Sequence, residues 1–353
     1  MIVIVIFNII VVFFAYLAYR YRSNLFLKIS FVYIFLFLAL RYDFGNDYQN
    51  YLENFIAINQ GVLVWESEPG WVLLCRLFAP FGFFAMVAFL AALQCVVYYR
   101  FFNRYVPAKY YWIALFLYLF NPGCLLILSS AMRQSVAIVI FIYAIDYIYK
   151  KDFVRYFFCV AIASTFHSSA LILFPVYLIG LFDWKVNKSI AVVIFFSYLF
   201  MYLIINYLQA QMSQFIEIYF KSYEMYLDKD MNKIGTGFGF LFGLFVFALV
   251  LIKVRIESGD KVLILKIAIL SYLVMPFSFI NPMMTRIGMY FEPFMIIAFI
   301  AVLSLLKDAN IRFSIIAMYS LIILLSFYGF FNSDIWTESF SAYKTVFSAP
   351  RIY

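Results

Sequence analysis

RYDFGNDYQNYLENFIAINQGVLVWESEPG, residues 41–70, concentrates charges and amides in a chain that otherwise avoids them. Long apolar runs flank this stretch on both sides. Unsatisfied polar groups in hydrocarbon cost several kcal/mol each, so a polar segment between membrane spans has to face water, a cavity or a ligand. We therefore interpret residues 41–70 as an outer polar loop that forms one wall of a binding site.

The composition is that of a membrane protein. Of the 353 residues, 67% are hydrophobic and 12% charged, and the mean hydropathy is +0.97. Ordinary soluble domains are roughly 45–50% apolar and 25% charged. We predict one all-α polytopic membrane domain over residues 1–353. Runs able to cross about 30 Å of hydrocarbon predict about 12 transmembrane helices, near residues 2–19, 25–40, 71–99, 110–128, 132–149, 153–166, 168–182, 189–208, 238–254, 262–280, 288–306 and 312–331.

The placement of basic residues predicts the orientation of these helices. In short connections, Lys and Arg mark the cytoplasmic side. The basic residues that would share this side are Arg20, Arg22, Lys28, Arg100, Arg104, Lys109, Lys150, Lys151, Arg155, Lys185, Lys188, Lys253, Arg255, Lys261, Lys266, Lys307 and Arg312. The opposite, outer side then holds residues 41–70. The net charge of +8 fits a membrane surface better than nucleic acid, so we expect no nucleic-acid partner.

Two segments depart from the pattern of simple spans. Asn121, Pro122 and Gly123 interrupt the fourth apolar run and predict a broken or re-entrant segment, which in membrane proteins lines a cavity. Over residues 209–237, apolar and charged residues recur at helical spacing. This pattern predicts an amphipathic helix that lies on the outer surface.

Three polar residues are predicted at helix starts that face outward: Arg133, His167 and Arg286. The N-terminus of a helix is its positive end, so an arginine there needs an anion nearby. Two such arginines predict an anion site, and the planar guanidinium matches phosphate oxygens. The alternative is a structural role, in which Arg133 and Arg286 form ion pairs with protein carboxylates, for which the candidates are Asp43, Asp47, Glu68 and Glu292.

Arg41, Asp43 and Asp47 each have an alternative without function. Arg41 ends the second helix, where a cation stabilises the helix dipole, so it can be a simple cap. Asp43 and Asp47 stand four residues apart, as on one helical face, and a metal is the weaker interpretation. The four cysteines show no metal-ligand spacing. We therefore predict no metal site.

Glu68 and His167 are candidates for proton transfer. Glu68 precedes Pro69, which is also an ordinary sign of a helix start. His167 is the one histidine of the sequence. The positive end of a helix favours its neutral ring, which can accept a proton, whereas a lone histidine is more often structural.

Five sequence blocks carry a resemblance to a known family. They are RYDFGNDYQNY (41–51), EPGW (68–71), SAMRQSVAIVIFIYAI (130–145), ASTFHSSALILFP (163–175) and TRIGMYFEPF (285–294). Tyr343 follows them near the C-terminus. In this order, the blocks resemble the EpsG-like branch of the Wzy-type polysaccharide polymerases, which make O-antigen, capsule or exopolysaccharide.

The resemblance implies a glycosyltransferase C-like lipid-carrier transferase in the bacterial inner membrane. Such enzymes act at the periplasmic or outer face on oligosaccharide repeat units carried by undecaprenyl diphosphate. They transfer the growing glycan to the non-reducing end of a new unit and release the lipid diphosphate. No cofactor is expected. The implied partners are membrane lipids, a chain-length regulator and a flippase. An O-antigen-ligase-like transferase and a lipid-linked oligosaccharide transporter are the rival functions.

The resemblance also points to individual residues of this sequence. It implies that Gly45, Gly70, Trp71 and Ser168 belong to the family's sequence blocks around the site. Asp47, Asp43, Glu68 and His167 are the predicted catalytic residues. The predicted substrate-binding residues are Arg41, Arg133, Gln134, Arg286, Tyr290 and Glu292.

Overall fold

The computed structural model of the chain describes residues 1–62, 68–182, 260–274, 283–340 and 342–348, with scattered positions between 189 and 200. The described residues form helices and one pair of two-residue strands. The predicted all-α class is confirmed at this level. The predicted amphipathic helix at 209–237 lies outside the described residues.

The chain divides into two compact units, and the first contains residues 1–181 and 323–353. Its N-terminal part consists of α1 (Ile2–Arg20), α2 (Asn24–Ala39), β1 (Arg41–Tyr42), α3 (Tyr48–Asn59), α4 (Pro69–Leu77), α5 (Phe83–Tyr105), a 3₁₀ turn (Ala108–Tyr110), α6 (Tyr111–Phe120), a π-helical segment (Gly123–Ile127), α7 (Leu128–Ser130), α8 (Met132–Tyr149), α9 (Phe153–Phe166), a 3₁₀ helix (Ser168–Val176) and α10 (Tyr177–Leu181).

The second unit covers residues 182–322. It holds α11 (Asp260–Val274), α12 (Met283–Met289) and α13 (Glu292–Leu305), followed by α14 (Ala309–Phe331), which begins in this unit and ends in the first. Within the second unit α11 packs on α13, where the hydroxyl of Ser271 lies 2.8 Å from the sulfur of Met295. The first unit ends with α15 (Asp334–Phe340), β2 (Lys344–Thr345) and a 3₁₀ turn (Val346–Ser348).

Four described helices are long and apolar enough to cross a membrane: α1, α5, α8 and α14. Residues 108–120 and 123–130 form a fifth candidate, bent by 69° at the break. The broken segment predicted from Asn121, Pro122 and Gly123 is thus confirmed. The remaining apolar helices of the described residues are shorter, at 10–17 residues. The candidate spans indicate a multi-pass membrane protein. The predicted count of about 12 transmembrane helices is not confirmed.

The third apolar run differs from its prediction. A single helix over residues 71–99 is expected, but α4 ends at Leu77 and α5 begins only at Phe83. Pro80 lies in the interruption, and Gly82 adopts a φ of +83° at the start of α5. Proline cannot continue the hydrogen bonds of a helix and glycine tolerates positive φ, so the chain turns here.

The polar stretch 41–70 is also not a simple loop, because α3 forms inside it. One face of α3 is buried, with apolar side chains at the helical spacing of three and four residues: Tyr48, Tyr51, Leu52, Phe55 and Ile58. This face packs on Trp71 and Cys75 of α4 and on residues of α5. Glu53, on the other face, is exposed. The amphipathic pattern was present in the sequence, but the density of polar residues around it obscured it.

Buried polar side chains connect the helices of the first unit. Asn8 of α1 donates to the carbonyl of Leu119 at 3.2 Å, and Ser30 of α2 donates to the carbonyl of Val11 at 3.0 Å. Gln94 of α5 donates to the hydroxyl of Tyr118 at 2.9 Å. Such bonds stabilise helix association where lipid provides no hydrophobic driving force between helices.

Gly70 permits close contact between α4 and α9, which makes it a test of the fold. A Cβ at Gly70 would lie 2.2 Å from the hydroxyl of Thr165 and 3.1 Å from its carbonyl oxygen. We expect Gly70→Ala to lower the free energy of unfolding in detergent by about 1–3 kcal/mol, the usual cost of overpacking. Gly329→Ala is the matched control, because a Cβ there meets nothing within 4 Å. Equal thermal midpoints for the two variants would contradict this packing.

Candidate active site

Glu68 occupies the centre of the candidate site. It immediately precedes α4, whose first residue is Pro69. Proline is favoured at this position because its fixed φ suits the helix and its missing N–H is not needed there. Glu68 is only 3% exposed, and its side chain does not cap its own helix. The carboxylate is instead bonded to residues of two other helical segments.

Both carboxylate oxygens of Glu68 have partners. Oε1 lies 3.1 Å from Nδ1 of His167 and accepts a hydrogen bond from the backbone N–H of Ser168 at 3.2 Å. Oε2 accepts from Nη1 of Arg133. Arg133 lies in the first turn of α8, and His167 joins α9 to the 3₁₀ helix that follows. The structure therefore brings together three of the predicted site residues.

The charge of Glu68 is maintained by these partners. Burial alone would raise the pKa of the carboxyl group, but the hydrogen bond from His167 and the positive charge of Arg133 outweigh it. The net effect lowers the pKa below its usual range. Glu68 is therefore ionised at neutral pH, as a partner of an arginine has to be.

Tyr51 contacts Arg133 through both its hydroxyl group and its ring. Its hydroxyl lies 3.4 Å from Nε of Arg133, which donates to it, and the guanidinium carbon lies 5.8 Å from the centre of the ring. The Tyr51 ring packs against Trp71 at 5.2 Å. Sequence analysis missed Tyr51 as a site residue. Its helical spacing indicates only that it faces the core, and its contact with residue 133 is invisible to any local pattern.

The guanidinium of Arg41 contacts backbone carbonyls, unlike that of a residue that binds an anion. It is 4% exposed, and its Nη1 and Nη2 donate to the carbonyls of Leu38 at 3.0 Å and Ser129 at 2.9 Å. Burial lowers the pKa of Arg41 to about 10, which still leaves it charged at neutral pH. Leu38 belongs to the last turn of α2. The alternative of a helix cap, in which a cation satisfies orphan carbonyls, thus describes the observed contacts.

Asp43 forms an ion pair with a residue that sequence analysis missed. Its carboxylate accepts from Nε2 of Gln49 at 2.7 Å and from Nζ of Lys344 at 2.9 Å. The hydrogen bond from Gln49 and that from Lys344 lower the pKa of Asp43. Asp43 and Asp47 do not share a helical face as expected, because α3 begins only at Tyr48. Among the described residues, no group of three or more metal-ligating side chains has a suitable arrangement.

Asp47 lies against the segment that precedes α8. Its backbone N–H donates to the hydroxyl of Ser130 at 3.0 Å. Gly45 approaches the same serine so closely that a Cβ would lie 3.1 Å from the Ser130 side chain, and its φ is +114°. Residues 129–133 therefore contact both the 41–47 loop and Glu68. This segment links the two groups of predicted site residues.

The other predicted residues are distributed over both units. Gln134 is buried in α8, next to Arg133. Tyr290 and Glu292 belong to the second unit, where Tyr290 is buried and Glu292 begins α13 with Pro293 behind it. Arg286 also lies in the second unit, in the last turn of the short helix α12. The prediction that it begins a long helix is wrong, and a cation in the last turn of a helix interacts favourably with the helix dipole.

Comparison with known proteins identifies a family. The EpsG family profile matches residues 24–345. This range covers all of the residues that form the candidate site. No curated protein and no solved structure matches the chain.

The charge of Glu68 gives a pH-dependent prediction. Because the pKa of Glu68 is lowered by folding, its ionised form stabilises the protein above the unfolded pKa of about 4.3, and this stabilisation is lost as the pH falls through the lower folded value. We expect Glu68→Gln to lower the free energy of unfolding by about 1–3 kcal/mol at pH 7.

The measurement is the thermal midpoint of the purified protein against pH. The difference between wild type and Glu68→Gln should shrink below about pH 4. Asp146→Asn is the control, since Asp146 pairs with Arg104 in an exposed ion pair that is worth at most about 1 kcal/mol. A Glu68→Gln protein as stable as wild type at pH 7 would contradict the role of this carboxylate.

Proposed function

Because the chain belongs to the EpsG family, we propose that it is a membrane glycosyltransferase that polymerises oligosaccharide repeat units carried by undecaprenyl diphosphate. The growing glycan on one carrier is the donor, and a sugar hydroxyl at the non-reducing end of another unit is the acceptor. Family membership supports a polysaccharide polymerase. The carrier, the direction of transfer and the roles of individual residues are the finer parts of the proposal.

One observation supports the chemistry most directly: Glu68 contacts both Arg133 and His167. A cation and a basic side chain are thereby held side by side on one carboxylate. Transfer of a glycan from a lipid diphosphate needs both groups. A positive charge stabilises the departing diphosphate, and a base removes the proton from the attacking hydroxyl.

Arg133 is the proposed ligand of the donor diphosphate. Its side chain is 20% exposed although it pairs with Glu68, so Arg133 lies nearer the surface of the site than Glu68 does. The ion pair that sequence analysis gave as the structural alternative is therefore present, but a guanidinium carries five N–H donors. As the bond between C1 of the donor sugar and the diphosphate oxygen breaks, negative charge collects on that oxygen. Arg133 stabilises this charge electrostatically.

His167 is the proposed general base. In the tautomer whose Nδ1–H donates to Glu68, Nε2 is the proton acceptor. The acceptor hydroxyl transfers its proton to Nε2 while its oxygen forms a bond to C1, and the lipid diphosphate leaves from the opposite face. Such a direct displacement inverts the anomeric centre. Glu68 orients the ring and stabilises the imidazolium, as a carboxylate does in a catalytic triad.

Among the remaining predicted residues, Arg41 and Asp43 change their roles: Asp43 is held in an ion pair with Lys344 and is not proposed as a base. Gln134, Arg286, Tyr290 and Glu292 are proposed to bind substrate, as the resemblance implies. Asp47 stays a second candidate for the base, since it lies beside Ser130. Arg41 is proposed as a structural residue, because its guanidinium is used on backbone carbonyls. No cofactor is proposed, because arginine supplies the counter-charge for the diphosphate.

The proposed location is the bacterial inner membrane, with the site facing the periplasm or exterior. The contacts of the first unit are consistent with a one-sided site. The ion pair between Arg104 and Asp146 lies at the far ends of α5 and α8, away from Glu68 and Arg133. A transporter that works by alternating access is expected to hold its substrate near the midplane of the membrane instead.

Arg133→Lys tests the proposed contact with the diphosphate. Lysine keeps the charge but loses the planar fork, so we expect kcat to fall roughly tenfold to a hundredfold with normal protein abundance. Arg104→Lys is the matched control, because Arg104 also pairs with a carboxylate but at the far end of the bundle. It should retain wild-type activity. Full activity of Arg133→Lys would reduce Arg133 to a structural ion-pair partner.

Reconstitution tests the reaction itself. Purified protein in liposomes receives only lipid diphosphate-linked repeat units, without nucleotide sugar, ATP or added metal. We expect a ladder of products spaced by one repeat unit that persists in EDTA. A ligase would need a core acceptor, and a flippase would move units without forming a glycosidic bond. Absence of the ladder with folded protein and the correct repeat unit would refute the polymerase function.

A further inference from the structure

The C-terminal part of the first unit lies on the 41–47 loop. We call residues 334–340 and 342–348 the C-terminal strap. Its strand β2 pairs with β1 in an antiparallel register that joins Arg41 to Thr345 and Tyr42 to Lys344. The N–H of Val346 adds a hydrogen bond of 2.9 Å to the carbonyl of Leu40. The strap therefore fixes the backbone at the start of the loop.

Further contacts of the strap continue along the loop. The N–H of Gly45 donates to the carbonyl of Ser339 at 3.0 Å. Phe340 is fully buried, with its ring 5.0 Å from that of Phe44. The Tyr343 hydroxyl donates to the carbonyl of Phe37 at 2.8 Å. The loop is thus held between the strap on one side and residues 129–130 on the other.

The ion pair between Lys344 and Asp43 lies at a left-handed turn of the loop. Asp43 has a φ of +47°, in the left-handed region, which among non-glycine residues asparagine and aspartate adopt most often. Contacts of its side chain hold this conformation in place. Here the two carboxylate oxygens are held separately, one by Gln49 of α3 and the other by Lys344 of the strap. The side chain of Asp43 therefore connects the strap to α3.

From Asp43 a continuous series of contacts leads to Arg133. Gln49 lies in the first turn of α3, and Tyr51 of the same helix accepts from Nε of Arg133. A shift at the start of α3 would move the Tyr51 hydroxyl and with it the guanidinium.

We propose that Lys344 is a positioning residue: by holding Asp43 in its left-handed turn, it fixes the start of α3 and thereby the placement of Arg133 on Tyr51. Asp43 is then an ion-pair partner and not a base. The effect on turnover rests on the proposed function, whereas the effect on the loop does not. Since the pair is half exposed, at 50% for Lys344 and 34% for Asp43, its loss should leave the fold intact.

The experiment compares single and double variants of the full-length protein. Lys344→Met keeps the aliphatic stem and removes the charge. Asp43→Asn keeps a side chain that tolerates left-handed φ and can still accept from Gln49. Lys344→Arg is the rescue variant. Lys150→Met is the matched control. Lys150 is exposed and directly follows α8, at the end of that helix that carries Asp146.

Two readouts are measured. Amide hydrogen exchange in substrate-free protein reports on the loop, where we expect the Gly45 amide to exchange about two- to fivefold faster in Lys344→Met. Turnover of lipid-linked repeat units reports on the site, where kcat should fall about two- to fivefold with unchanged KM. Lys344→Arg should restore both. In the double variant Asp43→Asn/Lys344→Met, exchange at Gly45 should be no faster, and kcat no lower, than in either single variant.

The outcomes separate the alternatives. If Asp43→Asn abolishes turnover while Lys344→Met retains it, Asp43 touches substrate and the proposal is overturned. Exchange at Gly45 equal to that of Lys150→Met also overturns it, whatever the activity. If exchange rises but kcat does not change, the strap holds the loop without positioning Arg133, which equally refutes the proposal. Should wild-type protein make no polymer, the proposed function fails, and the exchange comparison alone decides whether Lys344 holds the loop.

Discussion

One buried carboxylate, that of Glu68, determines how three helical segments of the first unit meet. It receives hydrogen bonds from the start of α8 and from the junction that follows α9, while it stands itself at the start of α4. In surroundings of low dielectric constant an unpaired charge is very costly, so all of these partners have to be present together. A slide of one helix by a single turn would move its partner about 5.4 Å and break the group. The axial register of the bundle and the chemistry of the site thus depend on the same atoms.

The break near residue 121 makes this meeting possible. Beyond it the chain runs through a π-helical segment and α7 before α8 begins at Met132. Interrupted helices expose backbone groups that a regular span would satisfy internally. Here Arg41 satisfies the carbonyl of Ser129, and the hydroxyl of Ser130 accepts from the backbone of Asp47. The irregular segment therefore serves as the attachment point for the loop that contains both aspartates.

Sequence reasoning succeeded where the signal is local and failed where it is not. Apolar run length gave the bounds of α1, α8 and α9 closely, and the helix-breaking residues near 121 gave the bend. The apolar run from residue 288 misplaces Arg286, because the long helix begins at Glu292, where Glu292 and Pro293 form the same start signal as Glu68 and Pro69.

Contacts between residues far apart in the sequence could not be predicted either. Lys344 and Asp43 are 301 positions apart, and Tyr51 and Arg133 are 82 apart. No periodicity links such residues, and a lysine near the end of a hydrophobic chain resembles any solvated charge. The sequence does show that charged residues concentrate in the stretch 41–70. Which charged residues are in contact depends on the packing of α3, a helix that the interpretation of residues 41–70 as a loop does not include.

The strap also has a consequence for biosynthesis. Residues 41–47 leave the ribosome some 300 positions ahead of their partners in β2. Membrane insertion proceeds from the N-terminus. The loop is therefore synthesised before its partners in β2, and its left-handed turn lacks their contacts until the intervening helices have been inserted into the bilayer. Contacts so distant along the chain form late and slowly. A translation product that stalls before residue 344 would contain Glu68, Arg133 and His167 and yet lack the contacts of β2 with their neighbouring loop, so these contacts can form only after β2 has been synthesised.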